Sequence, residues 1–244
     1  MQTAKHNALR LHFLLEDNPS LSQKIIDRYK SSYSGVFYQR YILGEWVKAE
    51  GLVYPMFDRA IHVVPAEDRP YRRFYVSMDY GTLNPTAMLL LGECGGKWYL
   101  VREYYHSGRD TGQQKTDDEY YDALVSLCGG RKIDRIIIDP SAASFITLVR
   151  RRGEYHVLPA RNDVLPGISA TATALGRGDI LISDCCVNTI REFGLYSWDT
   201  KSETDRVIKT DDHAMDALRY FVYTLRLADP KRDDKPYVSP FRRG

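Results

Sequence analysis

The order of apolar and polar positions predicts short helices at the start of the chain and a mixed sheet after them. Segments 21–30 and about 36–46 carry apolar residues at helical spacing, but both are too short and too polar to bury a core alone. We therefore expect residues 1–65 to be a helical appendage and linker, the tail of a missing domain. The main domain is expected at 66–228, and the basic segment 229–244 is expected to be a flexible tail.

Extended apolar runs open the main domain. They lie at 74–79, 86–91 and 98–105, and Gly95-Gly96 marks a turn between the last two, so they predict an antiparallel meander of three strands. A continuous apolar run at 135–139 follows a helix and predicts a buried parallel strand. Further helices are expected at 116–127, 141–152, about 168–175, 184–196 and 212–227, and further short strands at 156–158 and 180–182. The pattern predicts an α/β fold, with a mixed sheet flanked by helices.

Two of these strands end in an aspartate. Asp79 closes the first strand of the meander, and Asp139 closes the parallel strand. If the two strands pair, their carboxyl ends lie about 5 Å apart, at the edge where open α/β sheets bind their ligands. Asp216, on the last helix, adds a third carboxylate. Three oxygen donors from distant segments suit Mg²⁺ or Mn²⁺, and two such ions can support phosphodiester hydrolysis.

Each acidic residue also has a plainer interpretation. Asp139 precedes Pro140-Ser141 and could form only a turn or a helix cap. Asp212, at the start of the last helix, is interpreted as its N-cap. His213 taken alone is typical of an ordinary, partly buried histidine. The order strand-Asp, strand-Asp, helix-Asp nevertheless favours the three-carboxylate metal site.

Charge restricts where a nucleic acid could bind. The chain has 34 basic and 32 acidic residues, and its net charge of +2 predicts no general affinity for polyanions. Any DNA-binding surface must therefore be a local patch. The candidates for phosphate contact are Arg150, Arg151, Arg152, Lys201, Arg206 and Lys209. Lys209 is the first choice because it precedes the acidic helix, and the lack of a base-reading motif predicts little sequence preference.

Cysteine usage and hydropathy indicate the compartment. The four cysteines show neither zinc-ligand pairing nor the spacing of a disulfide framework; they are Cys94, Cys128, Cys185 and Cys186. We find no signal peptide and no run of about 18 apolar residues. These features predict a reducing cytoplasm and no membrane association.

Several motifs together resemble the nuclease domain of tailed-phage terminase large subunits. They are Met78-Asp79-Tyr80-Gly81, Asn84-Pro85-Thr86-Ala87, Ile138-Asp139-Pro140-Ser141-Ala142, Tyr196-Ser197-Trp198-Asp199 and the stretch 212–220. The last, Asp-His-x-x-Asp-Ala-x-Arg-Tyr, is the most distinctive, and the resemblance covers roughly 70–227. Segments 41–46 and 54–58 resemble the end of that family's ATPase region and the linker after it.

The resemblance implies a fold similar to ribonuclease H and an enzyme that cuts concatemeric phage DNA during genome packaging. It implies that Asp79, Asp139 and Asp216 bind two Mg²⁺ or Mn²⁺ ions, with His213 as an accessory and Asp212 as a weaker candidate. The implied partners are double-stranded DNA and, in the full motor, the small terminase subunit and the portal protein. The implied location is the host cytoplasm.

The ATPase that accompanies this nuclease in the family carries a Walker A loop. The nearest string, at 92–98, has the wrong glycine spacing and predicts a hairpin turn instead. We therefore expect no DNA translocation by this chain alone and expect the isolated chain to be a monomer. Two alternatives stay open: another ribonuclease H-like nuclease, such as a junction resolvase or an RNA-strand hydrolase, and a non-catalytic packaging-assembly module.

Overall fold

A computed structural model of the protein describes residues 13–227, and a mixed sheet of seven strands lies within them. The strands are β1 (Val63–Val64), β2 (Arg73–Asp79), β3 (Thr86–Cys94), β4 (Lys97–His106), β5 (Arg135–Ile138), β6 (Val157–Pro159) and β7 (Ile180–Ser183). They lie in the order β1-β7-β4-β3-β2-β5-β6. The expected tail at 229–244 lies outside the described residues.

Helices cover both faces of this sheet. They are α1 (Gln23–Lys30), α2 (Gly35–Tyr41), α3 (Arg59–His62), α4 (Gly108–Thr111), α5 (Asp117–Cys128), α6 (Ala143–Arg152), α7 (Val164–Gly176), α8 (Val187–Phe193) and α9 (His213–Thr224). Among residues 13–227, none of the helices has the length and hydrophobicity needed to traverse a lipid bilayer.

The sheet combines the expected meander with parallel strands. β3 pairs antiparallel with β2 and with β4, while β5 pairs parallel with β2 on its other side. β6 pairs parallel with β5, and β7 pairs parallel with β4. The predicted mixed α/β sheet is confirmed. The short β1, α3 and α4 were not predicted because two to four residues carry too little periodic pattern.

The side chains of β3 alternate between two hydrophobic clusters. Leu89 and Leu91 join the cluster that contains α7 and α9, whereas Met88 and Leu90 join the cluster that contains α5 and α6. Successive side chains of a strand point to opposite faces, so a strand that is covered on both sides must be apolar at every position. The continuous apolar run at 88–91 therefore reflects helices on both faces.

The N-terminal region packs onto the same sheet. Phe37 of α2 and Tyr54 are buried in the α7–α9 cluster, and Tyr54 meets Phe193 edge to face. β1 pairs parallel with β7 and becomes one edge of the sheet. The described part of the segment before residue 65 thus contributes to the main core, and the division of the chain at that residue stays a prediction.

The start of α7 differs from expectation. The helix begins at Val164, four residues before the predicted start, and includes Pro166 in its first turn. Proline is tolerated there because the first N–H groups of a helix have no intrahelical partner. The loop-forming composition just before it, which contains Asn162 and Asp163, concealed this early start.

Candidate active site

The carboxyl ends of β2 and β5 bring two of the predicted acids to one edge of the sheet. These strands pair in parallel with Met78 opposite Ile138. The next residue is Asp79 on β2 and Asp139 directly after β5. Neighbouring strands lie about 4.8 Å apart. The parallel pairing of these strand ends, on which the predicted site depends, is therefore a feature of the fold.

Asp139 uses both carboxylate oxygens in local hydrogen bonds. Oδ1 accepts from the Ser141 N–H at 2.8 Å, and Oδ2 accepts from the Asn162 side-chain amide at 3.0 Å. Burial alone would raise the pKa of this carboxyl, but these bonds, together with one from the Tyr220 hydroxyl, hold the pKa below its ordinary value. Asp139 is thus a charged carboxylate that also forms a local turn.

Asp79 is paired with His213. The Nδ1 atom of His213 lies 2.7 Å from Oδ2 of Asp79. Burial raises the pKa of Asp79, and repulsion from Asp216 and Asp212 adds to this, while the hydrogen bond from His213 opposes it. Burial lowers the pKa of His213, but the bond to Asp79 outweighs burial and the net shift is upward. The imidazole therefore orients the Asp79 carboxylate and offsets part of its charge.

Asp216 lies one turn into α9 and is held between two cations. Its Oδ1 accepts from Arg219 Nη2 at 2.9 Å and from Nε at 3.2 Å, and its Oδ2 lies 3.0 Å from Lys209 Nζ. Arg219 is 2% exposed and also donates to the backbone carbonyls of Asn162 and Asp163. This arginine ties α9 to the loop before α7 and fixes the position of the Asp216 carboxylate.

Asp212 does not cap α9 with its side chain, which corrects the predicted role. It occupies the N-cap position, but its carboxylate makes no capping hydrogen bond. Its Oδ2 instead lies 3.0 Å from Lys209 Nζ, and the residue is 3% exposed. The physical reason is that a remote carboxylate already occupies the end of the helix.

That remote carboxylate is Glu192, at the end of α8. Its Oε2 accepts from the N–H groups of Ala214 and Met215 at 2.7 and 3.2 Å, and its Oε1 accepts from the Tyr105 hydroxyl at 2.7 Å. Glu192 is fully buried, and burial raises its pKa. A carboxylate on free N–H groups at a helix start is favoured by hydrogen bonding and by the helix dipole. The sequence does not reveal this residue, because nothing near 192 signals a contact 22 residues later.

These groups line a cleft of about 700 Å³. One part of its wall is acidic, with Asp79, Asp212 and Asp216, and Lys209 and His213 lie among them. Its other polar lining residues include Asn84, Arg109, Asn188 and Arg191. Asp139 does not line this cleft. The cleft therefore combines carboxylates with donors that suit a phosphate backbone.

The arginine triplet predicted to contact DNA is placed elsewhere. α6 follows β5 and precedes the parallel β6, so it runs from the carboxylate edge towards the opposite edge over about 15 Å. Its last residues, 150–152, therefore lie far from the acids, and Arg152 pairs with Asp118 of α5. Lys201 and Arg206 are exposed but do not line the cleft, whereas Lys209 does. The sequence does not single out Arg109 and Arg191, the two arginines that line the cleft, because neither belongs to a basic cluster.

The acids are not arranged to hold a metal ion as they stand. Among residues 13–227, no three His, Cys, Asp or Glu side chains form a group that could bind one. Their oxygens are directed at internal donors instead, as the bonds of Asp79, Asp139 and Asp216 show. The chemistry of the donor set, three carboxylates from three elements, nevertheless fits Mg²⁺ or Mn²⁺.

Comparison with known proteins shows what the chain is similar to. No known family profile matches the chain. The large terminase of a thermophilic bacteriophage, solved in complex with ADP, is 50% identical and superposes with a TM-score of 0.84, over 88% of this chain and 55% of that one. The terminase large subunit of Escherichia phage T5 is 24% identical over 90% of this chain and 52% of that protein. Over most of its length the chain is therefore similar to phage large terminases.

A further likeness is to the fold of a large terminase nuclease domain. The nuclease domain of the SPP1 large terminase, solved with bound Mn, superposes with a TM-score of 0.52 at 17% identity, over 72% of this chain and 99% of that domain. The predicted ribonuclease H-like fold is confirmed by this likeness. The chain spans about half the length of the thermophilic-phage and T5 terminases that it matches.

Replacement of Glu192 tests how the start of α9 is held. We expect Glu192→Ala to lower the free energy of unfolding by about 2–3 kcal/mol, because two α9 N–H groups and the Tyr105 hydroxyl lose a buried charged acceptor. Urea denaturation in EDTA measures this. The matched control is Glu154→Ala, since exposed Glu154 also accepts from a tyrosine, Tyr121, and its loss should cost under about 0.5 kcal/mol. Equal losses in the two variants would contradict the capping role.

Proposed function

We propose that this terminase homologue is a metal-dependent endonuclease that cuts double-stranded phage DNA concatemers during genome packaging. The observation that carries the proposal is the cleft in which Asp79 and Asp216 lie beside the Asp139 strand end, in a chain half identical to a large terminase over most of its length. That combination supports a terminase nuclease over a junction resolvase or an RNA-strand hydrolase. A non-catalytic assembly module would have no need for buried, oriented carboxylates.

Asp79, Asp139 and Asp216 are proposed to hold two divalent ions, Mg²⁺ or Mn²⁺. Such ions would supply an activated water and neutralise the charge on the oxygens of the cleaved phosphodiester. The hydrogen bonds already present support this assignment. Asn162 and Ser141 orient Asp139, and a buried arginine orients Asp216. Carboxylates that are oriented by such hydrogen bonds bind metal ions more tightly than freely rotating carboxylates do.

His213 is proposed as an accessory that acts on Asp79. Its Nδ1 faces the carboxylate, and its Nε2 lies 4.0 Å from Oδ1 of Asp212. Both acids are therefore restrained by one imidazole at the first residue of α9. Asp212 is proposed as a supporting residue, since its carboxylate is turned to Lys209.

DNA is proposed to enter along the donor-rich wall of the cleft. Arg109 and Arg191 line the same space as the acids, and so does Lys209. Within the described residues, Arg109 makes no salt bridge, and its Nη2 lies 3.5 Å from Oδ1 of Asn84. A cation that no acid neutralises is available for a phosphate. These contacts reach the backbone and carry no base readout, so we propose little sequence preference.

The partners and the cellular location are proposed only from the similarity to phage large terminases. In a complete packaging motor the partners would be the small terminase subunit and the portal protein, in the host cytoplasm. The isolated chain is proposed to be a monomer.

Plasmid cleavage tests the nuclease proposal. We expect the wild type to nick and linearise supercoiled plasmid with Mn²⁺, and EDTA to stop the reaction. Asp139→Asn should lower the rate by more than about 100-fold, because loss of a ligand exceeds the 10–100-fold typical of residues behind the ligands. The control is Asp134→Asn, just before the same strand, where Asp134 pairs with Arg73 at the opposite end. Undiminished cutting by Asp139→Asn would refute the site.

The two acids of α9 are expected to differ. Asp216→Ala should abolish plasmid cleavage, whereas Asp212→Ala should retain measurable activity because its carboxylate contacts Lys209 rather than the ligand-orienting Arg219. Initial rates at saturating Mn²⁺ measure the difference. Complete loss in both variants would show that Asp212 is itself a ligand.

The DNA path is tested by a pair of arginines. In the Asp139→Asn background, Arg109→Ala should weaken binding of a duplex and lower the salt slope of the affinity by about 1, as expected for one lost phosphate contact. Arg150→Ala, on the remote end of α6, should change neither quantity. Fluorescence anisotropy at several salt concentrations measures both. A larger effect of Arg150→Ala would indicate that DNA binds at the other edge of the sheet and would contradict the proposed path.

A further inference from the structure

One lysine bridges the two acids of α9. Lys209 Nζ lies 3.0 Å from Oδ2 of Asp212 and 3.0 Å from Oδ2 of Asp216. Burial lowers the pKa of this amine, but the attraction of Asp216 and Asp212 outweighs burial and raises it. The lysine is therefore a charged ammonium inserted between two carboxylates, at the position where an ion between those oxygens would lie.

The two acids need this cation when no other is present. Asp212 and Asp216 are four residues apart on one helical face, and both are less than 10% exposed. Like charges at that spacing repel, and burial strengthens the repulsion. Among the described residues, Lys209 is the only lysine or arginine within 4 Å of Asp212. On the side of the two acids that faces the cleft, the Lys209 ammonium is thus the main neutralising charge.

Only one of the two cations on Asp216 is able to leave. The Lys209 side chain is 58% exposed, whereas the Arg219 side chain is 2% exposed. Arg219 is further held by two backbone carbonyls and by close packing, since a Cβ on Gly167 would come within 2.7 Å of its Cγ. Lysine has a flexible stem and a strongly hydrated head, so its ammonium can move into the cleft without any movement of the backbone. Arg219 remains in place.

We propose that Lys209 is a built-in counter-ion that a divalent metal ion must displace, so that this residue sets the metal affinity of the site. The inference rests on the proposed nuclease function. It accounts for the finding that no three acids among residues 13–227 are grouped to hold a metal, because the outer oxygen of Asp216 is taken by the ammonium. Displacement frees that oxygen and releases a positive charge into the cleft, beside Arg191 and the proposed DNA path.

The test compares Mn²⁺ binding to Lys209→Met and to the wild type. Free Mn²⁺, followed by electron paramagnetic resonance, gives the dissociation constant without any need for DNA or turnover. Removal of a competing, partly exposed ammonium should tighten binding about 3–10-fold. The matched control is Lys201→Met, an exposed lysine in the same loop that does not line the cleft and should leave the affinity unchanged. Lys209→Arg keeps the positive charge and should not tighten binding.

Thermal unfolding supplies a second readout. In EDTA, Lys209→Met should melt below the wild type, because its acids have lost their counter-ion, and saturating Mn²⁺ should raise its melting temperature by more than that of the wild type. Unchanged or weaker Mn²⁺ binding by Lys209→Met would overturn the inference and leave the nuclease proposal standing. Failure of the wild type to bind millimolar Mn²⁺ would overturn both.

Discussion

Buried negative charge at the start of α9 is the constraint on which the site depends. Glu192, Asp212 and Asp216 are all less than 10% exposed, and Asp79 is close enough for Asp212 and Asp216 to raise its pKa. Carboxylates so placed must be neutralised or given hydrogen bonds, since an unpaired buried charge costs several kcal/mol. Lys209, in the loop before α9, serves both Asp212 and Asp216. The remaining partners are His213 and Arg219 of α9, the first N–H groups of α9 and Tyr105 of β4.

The fold makes this concentration of charge tolerable by anchoring α9 firmly. Its apolar face lies against β2, β3 and β5, and Ser77 of β2 donates to the Ala217 carbonyl at 2.7 Å. The same face includes Leu218 and Phe221, both fully buried. Because apolar packing holds the helix in place along its length, its first turn keeps several acids close together in spite of their mutual repulsion. Stability of the core and placement of the acids are thus two effects of the same packing.

The two cations that contact Asp216 differ in their roles. Arg219 is buried and fixed, so it orients Asp216 permanently, while Lys209 is exposed and replaceable. On the proposal above, a metal ion would displace Lys209 while Arg219 keeps Asp216 in place. Without a metal ion, the lysine stabilises the acids, because opposite charges at 3.0 Å attract strongly in a partly buried setting.

Much of this was determined by the sequence alone. The apolar runs at 74–79, 86–91 and 135–139 predicted the central strands, and the aspartates that end two of them predicted the edge of the sheet that carries the site, because strand direction and periodicity are local properties. The tertiary structure decided the rest. Glu192 accepts from the N–H of Ala214, 22 residues further on, Arg109 and Arg191 line one cleft, and Arg150 lies near the far end of α6. Contacts between distant segments depend on how whole elements pack, which no local pattern encodes.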